Sequence, residues 1–369
     1  MPMQISCPSH DDQSTMTGET ETPITHLTVE EIENACNDAR KLDFTTHHIE
    51  APKLSLRRMF YPLGFPTEVR TNSEEVLLQA GELWSKFDKR FDTEPIRIDV
   101  HVVDTPSDKS MESIPLPPEH RFLPPLLVAV VDQNNYSISN FDLAVTQITI
   151  SRATERHSNY LQYFFLNGAP MCHIATRYAT PVHAGCVSLN GHGVLLCGDS
   201  GAGKSSLSYA CARAGWTYTT DDSALVLSRE SETDDGRFVT GNCHQVRFRP
   251  SAAELFPEIE GLDLTPRAAG KPSIELLTAP MKNIVCAPTA HIDFLVFLNR
   301  RTPGPPELRP YRTDVARYFL RQVLYGSPKS LATQYEAVER LLTARIFELR
   351  YTDLNWAIDR LETLVREGS

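Results

Sequence analysis

Gly193-Val-Leu-Leu-Cys-Gly-Asp-Ser-Gly-Ala-Gly-Lys-Ser-Ser206 reads as an apolar strand that runs into G-x-x-x-x-G-K-[ST] and then into helix-forming residues. That context is what a phosphate-binding loop requires. Gly198, Gly201 and Gly203 let the backbone take positive φ, so that successive N–H groups turn inward as an anion-binding nest. A helix beginning near Lys204 adds about half a positive charge from its dipole. The Lys204 ammonium, on a loop expected to face solvent, can reach the β and γ phosphates, and Ser205 can offer a hydroxyl to Mg²⁺. The cradle is therefore Gly198, Asp199, Ser200, Gly201, Ala202, Gly203, Lys204, Ser205 and Ser206. A glycine-rich turn that binds nothing is the bland alternative.

Downstream, Leu207, Ala210, Cys211 and Ala214 share one helical face, and Gly215 stops the helix as a C-cap does. Trp216-Thr-Tyr-Thr-Thr220 is rich in β formers and predicts a strand that returns to the same sheet end. It delivers Asp221 and Asp222. Neighbouring strand residues point to opposite sides, so one carboxylate can face a metal and the other an acceptor hydroxyl. An acidic turn capping a strand is the alternative.

These motifs resemble the catalytic domain of the bacterial HPr kinase/phosphorylase family, which shares its nucleotide-binding core with phosphoenolpyruvate carboxykinases. The likeness rests on Gly198-Asp-Ser-Gly-Ala-Gly-Lys-Ser205, on the aspartate pair ending at Asp222, and on His183 in Val-His-Ala-Gly185. It implies an α/β fold with an HPr-kinase-like P-loop domain, a mixed α+β N-terminal region and C-terminal helices. It also implies ATP and Mg²⁺. Asp222 would accept the proton of a serine hydroxyl, Ser205 would bind Mg²⁺, His183 would contact the phosphate region, and Asp221 would assist the metal or orient His183. The family's Glu-x-Arg-Gly-Leu-Gly signature, which serves the reverse phosphorolytic reaction, is absent. The nearest candidates are Arg247-Phe-Arg-Pro250 and Ala269-Gly-Lys-Pro-Ser-Ile-Glu275, read as a polar insertion. Glu275 is either a replacement metal ligand or a solvated loop carboxylate.

Composition fits an intracellular enzyme. With 369 residues, 41% hydrophobic and 22% charged, the chain can bury one large core or two modest ones. No apolar run approaches the ~18 residues of a membrane span, and the N-terminus lacks a signal-peptide pattern, so a cytoplasmic location is expected. A net charge of -11 argues against nonspecific nucleic-acid binding. Cys7, Cys36, Cys172, Cys186, Cys197, Cys211, Cys243 and Cys286 form no C-x-x-C pair and read as free, mostly buried thiols. His101 and His47-His48 have no carboxylate or cysteine at ligand spacing and read as structural or surface residues.

Three regions follow. Residues 1–25 are rich in Ser, Thr, Asp, Glu and Pro and predict disorder. Residues 26–175 predict a mixed α+β region: a helix over 27–42, an amphipathic helix over 73–87, and strands over 96–103, 126–131 (buried) and 143–150, with prolines 115–118 and 124–125 in a loop. Residues 176–369 predict the P-loop domain, with a core strand over 292–298, Arg300 or Arg301 at its end, and a last helix whose apolar stripe runs from Leu354 to Val365. The expected activity is transfer of the γ phosphate of ATP to a hydroxyl, most simply a serine of a protein or peptide, with Asp222, His183 and Lys204 as catalytic residues. A small-molecule acceptor and a nucleotide-binding module without turnover are the competing readings, and a homo-oligomer stays open.

Overall fold

The computed structural model describes residues 30, 34, 52–105, 115–228, 235–266, 268–300 and 304–368. Residues 3–53 form a unit of their own, and the fold described is that of residues 54–369. The expected disordered segment and most of the expected helix over 27–42, like His47, His48, Cys7 and Cys36, lie outside the described residues.

The first sheet uses β1 (Leu56–Phe60), β2 (Thr67–Thr71), β3 (Ile96–Val103), β4 (Glu119–Leu123), β5 (Leu126–Asp132), β6 (Asn135–Asn140) and β7 (Val145–Ser151), in the order β1-β2-β3-β7-β6-β5-β4. Between β2 and β3 runs α1 (Glu74–Trp84). Its Val76, Leu77, Ala80 and Trp84 repeat at helical spacing and are buried, and Trp84 meets Phe60 edge-on at 5.6 Å between ring centroids. Along β3, Ile96, Ile98, Val100 and Val102 alternate into the same core. Asp99 is buried on the other face and is held by Arg70 through two bonds of 2.5 and 2.6 Å. The proline-rich stretch is not one loop, because β4 lies between the two proline groups. And β5 is half-exposed, because only Ala129 of it is buried, so its apolar run does not mark a strand covered on both faces.

The second sheet follows α2 (Gly168–Arg177). Its strands are β8 (Ala179–Val182), β9 (Ala184–Leu189), β10 (His192–Cys197), β11 (Thr217–Thr220), β12 (Ala224–Leu227) and β13 (Phe238–Gly241), followed by β16 (Val285–Cys286), β17 (Thr289–Asn299), β18 (Glu307–Pro310) and β19 (Arg345–Arg350). The main path runs β16-β11-β9-β10-β17-β13-β12-β8, and β19 pairs parallel with β17. β14 (Gln245–Phe248) and β15 (Ile274–Leu277) make a separate antiparallel pair. The segments read as a polar insertion thus contain two paired strands, with Arg247 opposite Glu275.

Residues Val194 to Cys197 are buried on both faces, which is why they read as a continuous apolar run. On one side they meet α3 (Lys204–Arg213) and α6 (Leu354–Glu367), and on the other α4 (Thr313–Arg321) and α5 (Pro328–Leu341). The last helix carries its expected stripe inward at Ala357, Ile358, Leu361, Leu364 and Val365. Ala179 and Leu225 join the core of the first sheet, so the N-terminal region packs over β8 and β12. Gly193 sits where the β10–β17 register shifts, and a Cβ there would run into the His291 carbonyl. Gly193→Ala is therefore expected to destabilise the fold by about 1–3 kcal/mol. The check is a urea midpoint that falls at unchanged slope.

All six described cysteines are free thiols, and Cys186, Cys197, Cys211 and Cys243 are buried. Among the described residues no helix is long and apolar enough to cross a membrane, and no cluster of three or more His, Cys, Asp or Glu side chains is arranged to hold a metal ion.

Candidate active site

β10 and β11 are parallel strands on either side of antiparallel β9, so the strand–α3–strand crossover brings the glycine loop and the aspartate pair to one sheet edge. Gly198, Gly201 and Gly203 have φ of 152°, 87° and 101°, and the Ala202 N–H donates to the Asp199 carbonyl at 3.0 Å. Glycine is required at 203 for a second reason. A Cβ there would lie 2.7 Å from the Tyr351 hydroxyl and 3.3 Å from Cδ of Arg300.

Lys204 does not face solvent as expected. It is 5% exposed, and its ammonium donates to the carbonyls of Gly198 (2.7 Å) and Asp199 (3.1 Å) while lying 2.9 Å from Nε2 of His183. Burial pushes its pKa down, against the pull of Asp222 and Asp199. His183 is placed by the β8–β9 connection, and its Nδ1 faces the Asp222 carboxylate at 3.5 Å. Burial and then the Lys204 charge lower its pKa, which favours a neutral imidazole. Asp222 thus joins His183 and Lys204. Burial acts to raise its pKa, but the cationic groups around it, Lys204 and Arg247 among them, hold it below the usual carboxylate range.

Asp221 turns the other way. It is 6% exposed and accepts from the Tyr218 hydroxyl (3.1 Å), the Arg247 backbone N–H (3.2 Å) and the Ser205 side chain. Burial, then the neighbouring Asp222 charge, raises its pKa. Of its two expected roles, orienting His183 falls to Asp222 instead, while Asp221 bonds to Ser205, the residue expected to bind the metal. Ser206 is half-buried in the first turn of α3.

Two arginines flank the loop. Arg249 donates to the Ser200 hydroxyl at 2.8 Å, and Arg300 leans over the Tyr351 ring, 5.5 Å from its centroid, beside Gly203. Arg300 stands at the end of β17, where the strand-end argument put it; Arg301 lies outside the described residues. Arg249 lies in the stretch Arg247-Phe-Arg-Pro250, a candidate for the missing signature, but that stretch gives it no role of its own, and Tyr218 reads only as a strand residue. The Glu275 carboxylate is engaged by the Arg247 guanidinium at 2.9 and 3.0 Å, so it is a paired strand residue rather than a solvated loop carboxylate.

No family model and no curated protein matches the chain. Among solved structures, the Hpr(Ser) kinase/phosphatase from Coxiella burnetii aligns with 51% of this chain and 95% of its own, at 17% identity and a TM-score of 0.28. A likeness that slight carries no argument about fold or activity.

Proposed function

We propose that this chain transfers the γ phosphate of ATP to a hydroxyl group, with a serine of a protein or peptide as acceptor. The observation that carries the reading is the division of the aspartate pair. Asp222 shares the loop mouth with His183 and Lys204, while Asp221 bonds to Ser205. A general base and a site for a hard cation thereby fall on adjacent residues.

The fit to Mg²⁺ follows from the donor set. Ser205 and Asp221 offer hard oxygens side by side, and Asp221 is a buried carboxylate whose charge is opposed by burial and by Asp222. When bound, Mg²⁺ would supply charge stabilisation for the phosphates. The residues do the rest. Loop N–H groups and the Lys204 ammonium hold phosphate oxygens, with Arg249 and Arg300 alongside. Asp222 takes the hydroxyl proton as the new P–O bond forms and the bond from the γ phosphorus to the bridging oxygen breaks, ADP being the leaving group, with His183 facing that carboxylate at 3.5 Å.

The test is calorimetry with ATP in the presence and absence of Mg²⁺, followed by mass spectrometry of cell extract treated with enzyme and γ-labelled ATP. Tighter ATP binding with Mg²⁺ and label on serine are expected. Equal affinity with and without metal counts against the Ser205–Asp221 site, and binding without any labelled product turns the reading into a nucleotide-binding module.

A further inference from the structure

A cavity of about 210 Å³ lies away from the glycine loop, between the segment after α1 and the turn that joins β13 to β14. Its wall carries Lys86, Arg90 and His244, with Phe87 as an apolar side and Asp88 as its acidic residue. We infer that this cavity binds a small oxyanion, of the size of inorganic phosphate or sulfate, through Lys86, Arg90 and His244.

Position and charge carry the argument. Lys86 is half-buried, and its ammonium donates to a neutral acceptor, Oε1 of Gln245, at 3.2 Å. The nearby carboxylate of Glu275 is already engaged by Arg247. The Arg90 side chain is laid against Gly64, where a Cβ would meet its Cβ at 2.6 Å, and its backbone N–H is tied to the Gly64 carbonyl at 3.0 Å. The His244 ring stands edge-on to Phe87 at 5.1 Å. Basic residues from two distant parts of the chain thus line one hollow. Burial lowers the pKa of Lys86, and burial followed by the charges of Lys86 and Arg90 lowers that of His244, while Asp88 opposes. An anion entering the hollow relieves that crowding. Its volume is below the ~300 Å³ at which pockets for drug-sized ligands begin, which selects a compact ion. None of its lining residues belongs to the glycine loop or the aspartate pair, so the inference stands apart from the kinase reading.

The test follows the His244 imidazole by NMR while inorganic phosphate, then sulfate, replaces chloride at constant ionic strength. It is run in the full chain carrying Lys204→Ala, which takes the main cation of the glycine loop out of the response. The inference expects a saturable shift of the His244 resonance and a rise in its pKa, because a bound anion favours imidazolium. The exposed His192 should not follow it. Lys86→Gln and Arg90→Gln should each weaken the response about tenfold, the effect of one lost charged hydrogen bond. Asp88→Asn should strengthen it. A His244 resonance that does not move, that moves together with His192, or that moves equally in the Lys86→Gln, Arg90→Gln double variant overturns the inference.

Discussion

Lys204→Ala is expected to lower phosphoryl transfer by about 10² or more while the fold survives. The first half follows from where the ammonium sits. It is anchored by the Gly198 and Asp199 carbonyls and His183 at the mouth of the loop, where on the proposed function negative charge would develop on the transferred group. The second half follows from burial, which already opposes the charge of Lys204. Removing the side chain abolishes two hydrogen bonds to loop carbonyls but also a desolvation cost, and the opposed changes leave a net effect of about 1 kcal/mol. Lys204→Arg should rescue little, because a planar fork does not fit where a compact ammonium meets two carbonyls and an imidazole. Single-turnover transfer from γ-labelled ATP, beside a urea transition, checks both halves. Near-normal transfer in the alanine variant would sink the assignment of the loop to phosphate binding.

The parts of this site that lie within one crossover were legible in the sequence, and those assembled across it were not. Strand, glycine loop, helix and second strand follow each other in the chain, so periodicity and the positive-φ glycines predict β10, α3 and β11 nearly residue for residue. The same reasoning could not see that Lys204 folds back. Its direction is set by the carbonyls of Gly198 and Asp199 at the start of the loop and by a histidine from another connection, not by local pattern. Arg249 reaches Ser200 only because β14 pairs with β15 beside the loop, and that pairing joins segments separated by a stretch with no strand signal. In the first sheet the failure was of another kind. The residues of β5 are apolar enough to suggest burial, yet the strand lies one place from the sheet edge with little covering it, and hydrophobicity alone does not report on which neighbours arrive.

Asp222→Asn and Asp221→Asn should part company, and the structure says in which direction. Asp222 faces His183 at 3.5 Å and keeps 27% of its side chain exposed, so an incoming hydroxyl can reach it. Its amide variant should bind ATP nearly as before while transfer falls by roughly 10² to 10⁴, the range for loss of a positioned base. Asp221 is buried among Ser205, Tyr218 and the Arg247 N–H. Its amide variant should weaken Mg²⁺-dependent nucleotide binding, since an amide is a poorer ligand for a hard cation than a carboxylate. The sign of the stability change gives an independent readout. The folded-state pKa of Asp221 is raised, so its ionised form is opposed by burial and by Asp222, and that cost is present above the folded pKa and disappears as pH falls through it. The neutral amide escapes the cost at neutral pH, so Asp221→Asn should match or exceed the parent in Tm there, and the advantage should shrink on acidification. Asp222→Asn should show no such gain. Nucleotide affinity, single-turnover transfer and Tm against pH, measured in both variants, decide the roles. If transfer survives in both, neither aspartate is the base or the metal ligand, and the pair is only a strand cap.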